Sequence, residues 1–123
     1  MKIIIPINPI TKKNHGNIVM VRNHPLLLPS KPYQEYEKKC KEFMPVLDAP
    51  IDYPINLKVL YYMETKRKCD ITNLLQATCD ILVKYKVLED DNYTIVSSID
   101  GTQVFYDKET PRCEIYIEKK ELN

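Results

Sequence analysis

Apolar residues recur along this chain at two different periods, and the alternation between them lays out its elements. Over residues 70–86, Leu74, Ala77, Thr78, Ile81 and Leu82 return every three or four positions. That spacing predicts an amphipathic helix with a continuous apolar face about four turns long. From Ile55 to Met63 the period drops to two, with Leu57, Val59, Tyr61 and Met63 alternating with Lys58, Leu60 and Tyr62. This predicts a strand that is apolar on both sides in its second half.

The remaining segments are read in the same way. Residues 2–7 form a short β-branched run, a strand. Ser30 is placed to cap a first helix that passes through Pro32 to about Leu47, burying Tyr33, Tyr36, Cys40, Phe43 and Met44. Residues 94–99 and 102–106 are β-rich around an Asp100-Gly101 turn or bulge, and 112–118 alternate so that Cys113, Ile115 and Ile117 point one way. Residues 8–29, rich in Pro and Asn, are expected to be a long loop, a length that in compact domains accompanies function or disorder. The order is strand, helix, strand, helix, then two or three strands. It predicts an α/β (α+β) fold: a small mixed sheet packed with two main helices, one domain over residues 1–123. Such sheets host many activities, so the layout alone names none.

Composition narrows the classes. With 123 residues the chain can bury a core without metal or disulfide support. A net charge of +1 means that any grip on nucleic acid must come from clustered cations. Lys38, Lys39 and Lys41 read as a solvated helix face. Lys12-Lys13 and Lys66-Arg67-Lys68 are the other clusters, and the latter runs directly into Asp70, where phosphate contact and plain surface charge are equally good readings. Cys40, Cys69, Cys79 and Cys113 lack metal-ligand spacing and are expected as free thiols. No segment approaches the roughly 20 apolar residues of a membrane span, and no cleavable leader is recognisable, so a cytoplasmic protein is expected.

Carboxylates mark both ends of the second helix. Asp70, Asn73 and Asp80 lie along one edge of its apolar face, and Glu89, Asp90 and Asp91 follow its C-terminal end, where the helix dipole disfavours negative charge. A cation relieves that conflict, and Mg²⁺ prefers hard oxygen donors of this kind. A straight helix over 71–86 is about 24 Å long, too long for Asp70 and Asp91 to share one ion across it. Either the helix stops near residue 83 and the chain returns, or a second subunit pools the acids. The structural alternatives are an N-cap at Asp70 answered by Asn73 at the N3 position, and a polar turn at Asp90, Asp91 and Asn92. His15 and His24 lack acid partners in sequence and read as surface residues.

The segment DITNLLQATCDILVKYKVLEDDN resembles the signature of the RusA family of Holliday-junction resolvases through Asp70, Asn73, Leu74, Asp80, Leu82, Asp90 and Asp91. The similarity extends over the chain, including Pro9, Thr11, Lys12 and Asn14 after the first strand. It implies a Mg²⁺-dependent endodeoxyribonuclease, with Mn²⁺ as the substitute ion and no organic cofactor. It also implies a homodimer of bacterial or phage origin that resolves branched, four-way DNA by paired symmetric cuts. Under the resemblance Asp70 and Asp91 are principal metal ligands supported by Asp90, with Asn73 and Thr72 beside them. Lys12, Lys13, Asn14, Lys66, Arg67, Lys68 and Gln76 face DNA. Two positions depart from the family pattern: Thr72 stands where it has an Asp, and Gln76 where it often has a Lys. The departures leave open a catalytically weakened branched-DNA-binding protein on the same fold, or a scaffold protein in which the acids are caps and turns.

Overall fold

The computed structural model describes residues 1–12 and 17–121. Its centre is β4 (Ile55–Met63), where alternation puts Ile55, Leu57, Val59 and Tyr61 on a buried face. On one side β4 pairs antiparallel with β7 (Arg112–Lys119), and β7 in turn with β1 (Lys2–Ile5). On its other side β4 pairs in parallel with two short strands in succession, β5 (Val96–Ser98) low and β6 (Gln103–Tyr106) high. The expected Asp100-Gly101 turn is present, with Gly101 at φ 88, but it does not fold a hairpin. It is a jog between two strands running the same way along β4. Asn56 bridges the jog, its Oδ1 accepting the Asp100 amide at 2.9 Å and its Nδ2 donating to the Asp100 carbonyl at 3.1 Å. Thr102 splices its hydroxyl into the ladder between the Leu57 carbonyl and the Val59 amide.

Two helices cover the buried face of this mixed sheet. The first, α1 (Lys31–Cys40), is capped by Ser30, whose Oγ accepts the Tyr33 amide at 3.3 Å, with Pro32 in the first turn. It is shorter than its apolar stripe predicts. A single 3₁₀ turn over Lys41–Phe43 follows, and Met44 is already extended at ψ 135. Pro45 forces this stop, because the residue before proline is pushed out of helical geometry. The second, α2 (Ile71–Lys84), buries Leu74, Ala77, Thr78, Ile81 and Leu82, the five positions of the predicted face. Tyr61 of β4 and Thr78 of α2 share a buried hydroxyl–hydroxyl bond of 2.7 Å, which fixes the helix's rotation on the sheet.

The long loop expected over residues 8–29 is corrected by a hairpin within it, β2 (Asn17–Val21) against β3 (His24–Leu28). Its two-residue turn, Arg22-Asn23, has φ 50 and 65. Both central residues at positive φ make the hairpin turn whose twist matches the strands. Gly usually signals such turns; here Asn23, with Arg22, does so without it, and the signal is easily passed over.

Candidate active site

The helix α2 carries one polar edge through Asp70, Asn73, Gln76 and Asp80, and the site is built along it. Asp70 occupies the N-cap position, but its carboxylate accepts none of the helix amides. It is exposed, and its Oδ2 accepts the Asn73 side-chain amide at 3.3 Å. Thr72, on the same turn, is exposed. About two turns further, Asp80 is held from two sides: Gln76 Nε2 donates to Oδ1 at 3.0 Å, and Lys12 Nζ lies 2.8 Å from Oδ2. Lys12 thereby anchors the segment that follows β1 onto the helix.

The C-terminal end of α2 turns the chain back. Tyr85 ends the helix and Lys86 takes the left-handed conformation at φ 61, while the Val87 amide reaches the Leu82 carbonyl at 2.9 Å and the Lys86 amide reaches Val83 at 3.1 Å. This bond pair is a Schellman stop, made with lysine where glycine is usual. Val87 and Leu88 are then buried, and Leu88 pairs with Ile51 in a parallel bridge. That anchor delivers Asp90 and Asp91 alongside the helix. Asp90 closes a tight turn, accepting the Asp91 amide at 2.7 Å and the Asn92 side chain at 3.0 Å. These bonds hold its carboxyl below the usual range. Asp91 is half-buried, and among the described residues no hydrogen bond is made to its carboxylate. The half-buried Cys79 thiol is pushed up to about 12 by burial and then by the Asp91 and Asp80 charges.

The result is an open cleft of about 430 Å³ lined by Lys12, Glu37, Asp80, Val83, Lys84, Asp90 and Asp91. Glu37 comes from α1 and is ion-paired with Lys84, while its carbonyl accepts the Tyr85 hydroxyl at 2.8 Å. Beneath it the Tyr33 hydroxyl is buried without a hydrogen-bond partner among the described residues. Burial, then the Glu37 and Asp80 carboxylates, raise its pKa, so it stays a neutral donor. A second hollow of about 250 Å³, lined by Lys12, Asn73, Gln76 and Ala77, meets the cleft at Lys12.

Four carboxylates face two ammonium groups in the main cleft, an excess of negative charge. A phosphodiester is repelled by such a surface unless a cation lies between them. Among the described residues no three His, Cys, Asp or Glu side chains are placed to hold a metal by themselves. Magnesium needs only one or two carboxylates when substrate phosphate and water supply the rest, and Asp91, unpaired among the described residues, offers with Asp90 a donor set of that kind.

Of the residues predicted from sequence, the cleft gathers Lys12, Asp90 and Asp91, and the adjoining hollow gathers Asn73 and Gln76. Asp70 and Thr72 do not line the main cleft; they stand at the N-terminal end of α2. Lys66, Arg67 and Lys68 are exposed on the approach to Asp70. Lys13 and Asn14 lie outside the described residues. The sequence reading gave no site role to Asp80, Glu37 or Lys84. The helical spacing of Gln76, Asp80 and Lys84 is a signal for two of them. Glu37 carries none, because only the packing of α1 against the end of α2 brings it in.

A small α+β domain with carboxylates and ammonium groups in one open cleft has the groups for phosphodiester chemistry. The model of the endodeoxyribonuclease RusA family matches residues 6–118, and the chain belongs to that family. The family comprises nucleases that act on branched DNA junctions. A search of curated proteins gave no match. No helix among the described residues is long and apolar enough to cross a membrane.

Proposed function

We propose that this chain resolves four-way DNA junctions by Mg²⁺-assisted hydrolysis, as a homodimer making paired symmetric cuts. The observation that carries this reading is the negatively charged cleft, in which the Asp91 carboxylate has no partner among the described residues and Asp90 is already tied into its turn. Asp91 and Asp90 would hold the ion, with Asp70 as the further carboxylate at the helix's other end. When bound, the ion would neutralise the cleft and stabilise charge on the leaving oxygen.

The chain's own residues do the rest. Asn73 orients the Asp70 carboxylate through its amide. Asp80 and Gln76 hold the Lys12 ammonium at the meeting point of the two hollows, where it can contact a phosphate oxygen. Lys66, Arg67 and Lys68, exposed before α2, take neighbouring phosphates, with Lys13 and Asn14 expected to extend that contact. Hydrolysis breaks one P–O bond and leaves a 5′-phosphate and a 3′-hydroxyl. Two cuts related by symmetry require two identical sites, which a two-fold dimer supplies. Binding through backbone phosphates should weaken steeply with salt.

A second reading is a protein of the same fold that grips branched DNA and cuts poorly. It is supported by Thr72, which brings no carboxylate, and by Gln76, whose amide is spent on Asp80. One experiment separates the two: incubation of a synthetic four-way junction and a matched linear duplex with Mg²⁺, Mn²⁺ or chelator, using wild type and Asp91→Asn. Metal-dependent paired cuts on the junction, lost in the variant while binding persists, support the nuclease. Tight junction binding without cutting under either metal supports the second reading.

A further inference from the structure

The hairpin of β2 and β3 differs from the rest of the chain in both packing and charge. Its register sets Met20 opposite Pro25 and Val21 opposite His24, and successive pairs point to opposite faces. A hairpin laid on the body would bury one of them. Here Met20 is 66% exposed on one face, and Val21 and Leu26 are 49% and 48% exposed on the other. A two-stranded hairpin alone is marginal in water, so this one gains from a partner that covers it. A further strand beside β3 is a poor fit. Val21 and His24 flank the two-residue turn as its hydrogen-bonded pair, which turns the amide positions of Met20 and Pro25 outward, and Pro25 has no N–H to offer there. Charge points to a polyanion instead: all 17 Asp and Glu residues lie from Glu35 onward, while residues 1–34 hold Lys2, Lys12, Lys13, Arg22 and Lys31. Arg22 stands at the hairpin tip at φ 50, a left-handed position that strains arginine and not glycine. The segment leaves and rejoins the body beside the acidic cleft, where Lys12 pairs with Asp80 and Ser30 starts the helix that brings in Glu37.

We propose that the β2–β3 hairpin is a DNA-binding ribbon that enters the major groove beside the cleft, with Arg22 on a backbone phosphate and Met20, Val21 and Leu26 against base edges. That groove admits two strands side by side, and its thymine methyl groups give apolar side chains something to touch. Its two walls cover both faces of a ribbon, which one flat protein surface does not. A segment without carboxylates suits the phosphate backbone, and it draws in the DNA that the cleft's own charge repels. In its choice of DNA the inference rests on the function proposed above; that a partner covers the hairpin rests on its exposure alone.

The test is binding of a labelled four-way junction and a matched linear duplex, in chelator and over a range of salt, to wild type, Arg22→Gly, Arg22→Lys and the double variant Met20→Ser with Leu26→Ser. Arg22→Gly keeps the turn, because glycine takes φ 50 without strain, and removes only the cation. It should weaken binding to both probes and lower the slope of log affinity against log salt by about one, whereas Arg22→Lys keeps the wild-type slope. The double serine variant should bind about ten-fold more weakly, the loss of part of two buried apolar side chains, with its slope unchanged. All three positions are exposed, and thermal melting checks that the variants are folded. Wild-type affinity and slope in Arg22→Gly overturn the proposal. So does a concentration-dependent dimer of the wild type that the double variant dissociates without weakening DNA binding, since the hairpin then covers a second copy. A wild type that shows the Arg22-dependent slope but cuts no junction with Mg²⁺ or Mn²⁺ keeps the ribbon and refutes the nuclease reading. Metal-dependent cutting with a slope indifferent to Arg22 does the reverse.

Discussion

The two ends of α2 present carboxylates in opposite ways. At the N-terminal end, Asp70 is oriented by Asn73, three residues along the same chain, and everything needed is local. At the C-terminal end, Asp90 and Asp91 reach the cleft through a left-handed lysine, two buried residues and a bridge to Ile51, and they face Glu37 from another helix. A locally made site tolerates damage to the core; a site delivered by packing shares the stability of whatever delivers it.

The comparison can be broken most severely at Asp91. Asp91→Asn removes the cleft charge that is unpaired among the described residues and should lower junction cleavage about a thousand-fold, ~4 kcal/mol of transition-state stabilisation. Its melting temperature should stay near that of wild type. Leu88→Ala tests delivery rather than chemistry: truncating a fully buried leucine should cost about 2–5 kcal/mol in denaturant unfolding. Cleavage should fall with it even at temperatures where the variant is folded, because Asp90 and Asp91 lose their anchor. Asn73→Ala is the matching test at the other end. It should leave stability within ~0.5 kcal/mol and reduce cleavage about ten-fold, ~1.4 kcal/mol, through a disoriented Asp70.

Two smaller effects sharpen the contrast. Lys86→Gly relieves the left-handed strain at the Schellman stop and should stabilise the protein by about 0.5–1 kcal/mol, read as a raised melting temperature. The equivalent change at Asn73 has no such strain to relieve. Because Asp90 is held below its ordinary value of 3.8, its turn contributes stability that is complete above that value and is lost as the pH falls through the lowered native one. Melting curves taken from neutral pH to below 3.8 should show that component in wild type and lack it in Asp90→Asn.

Much of the fold was legible because it rests on short-range rules. The five buried positions of α2, the alternation of β4 and the one-sided Cys113, Ile115 and Ile117 of β7 follow from periodicity alone. What was misread had competing local signals. The stripe of α1 continued past the point where Pro45 stopped the helix, and the Arg22-Asn23 turn lacked the glycine that usually marks a hairpin. Asp100-Gly101 reads as a turn or bulge and is a turn, but one that joins two strands parallel to β4, since the ladder bonds come from a third strand and from Asn56 and Thr102. The candidate site divides in the same way: Asp70, Asn73, Asp90 and Asp91 were visible as acid and amide positions flanking one helix, whereas Glu37 and the Lys12–Asp80 pair were not.

Residue order by itself determined the inward faces of α2, β4 and β7, the family signature and the identity of the acids, because each depends on periods or motifs within a few residues. Only the tertiary structure decided that Asp91 returns beside Asp80, Val83 and Lys84 of α2 and that Lys12 and Glu37 meet it there. It also left both faces of the β2–β3 hairpin bare near its turn. Those placements depend on which distant surfaces pack together, and packing is settled by the shape and burial of the whole core rather than by any neighbourhood of the chain.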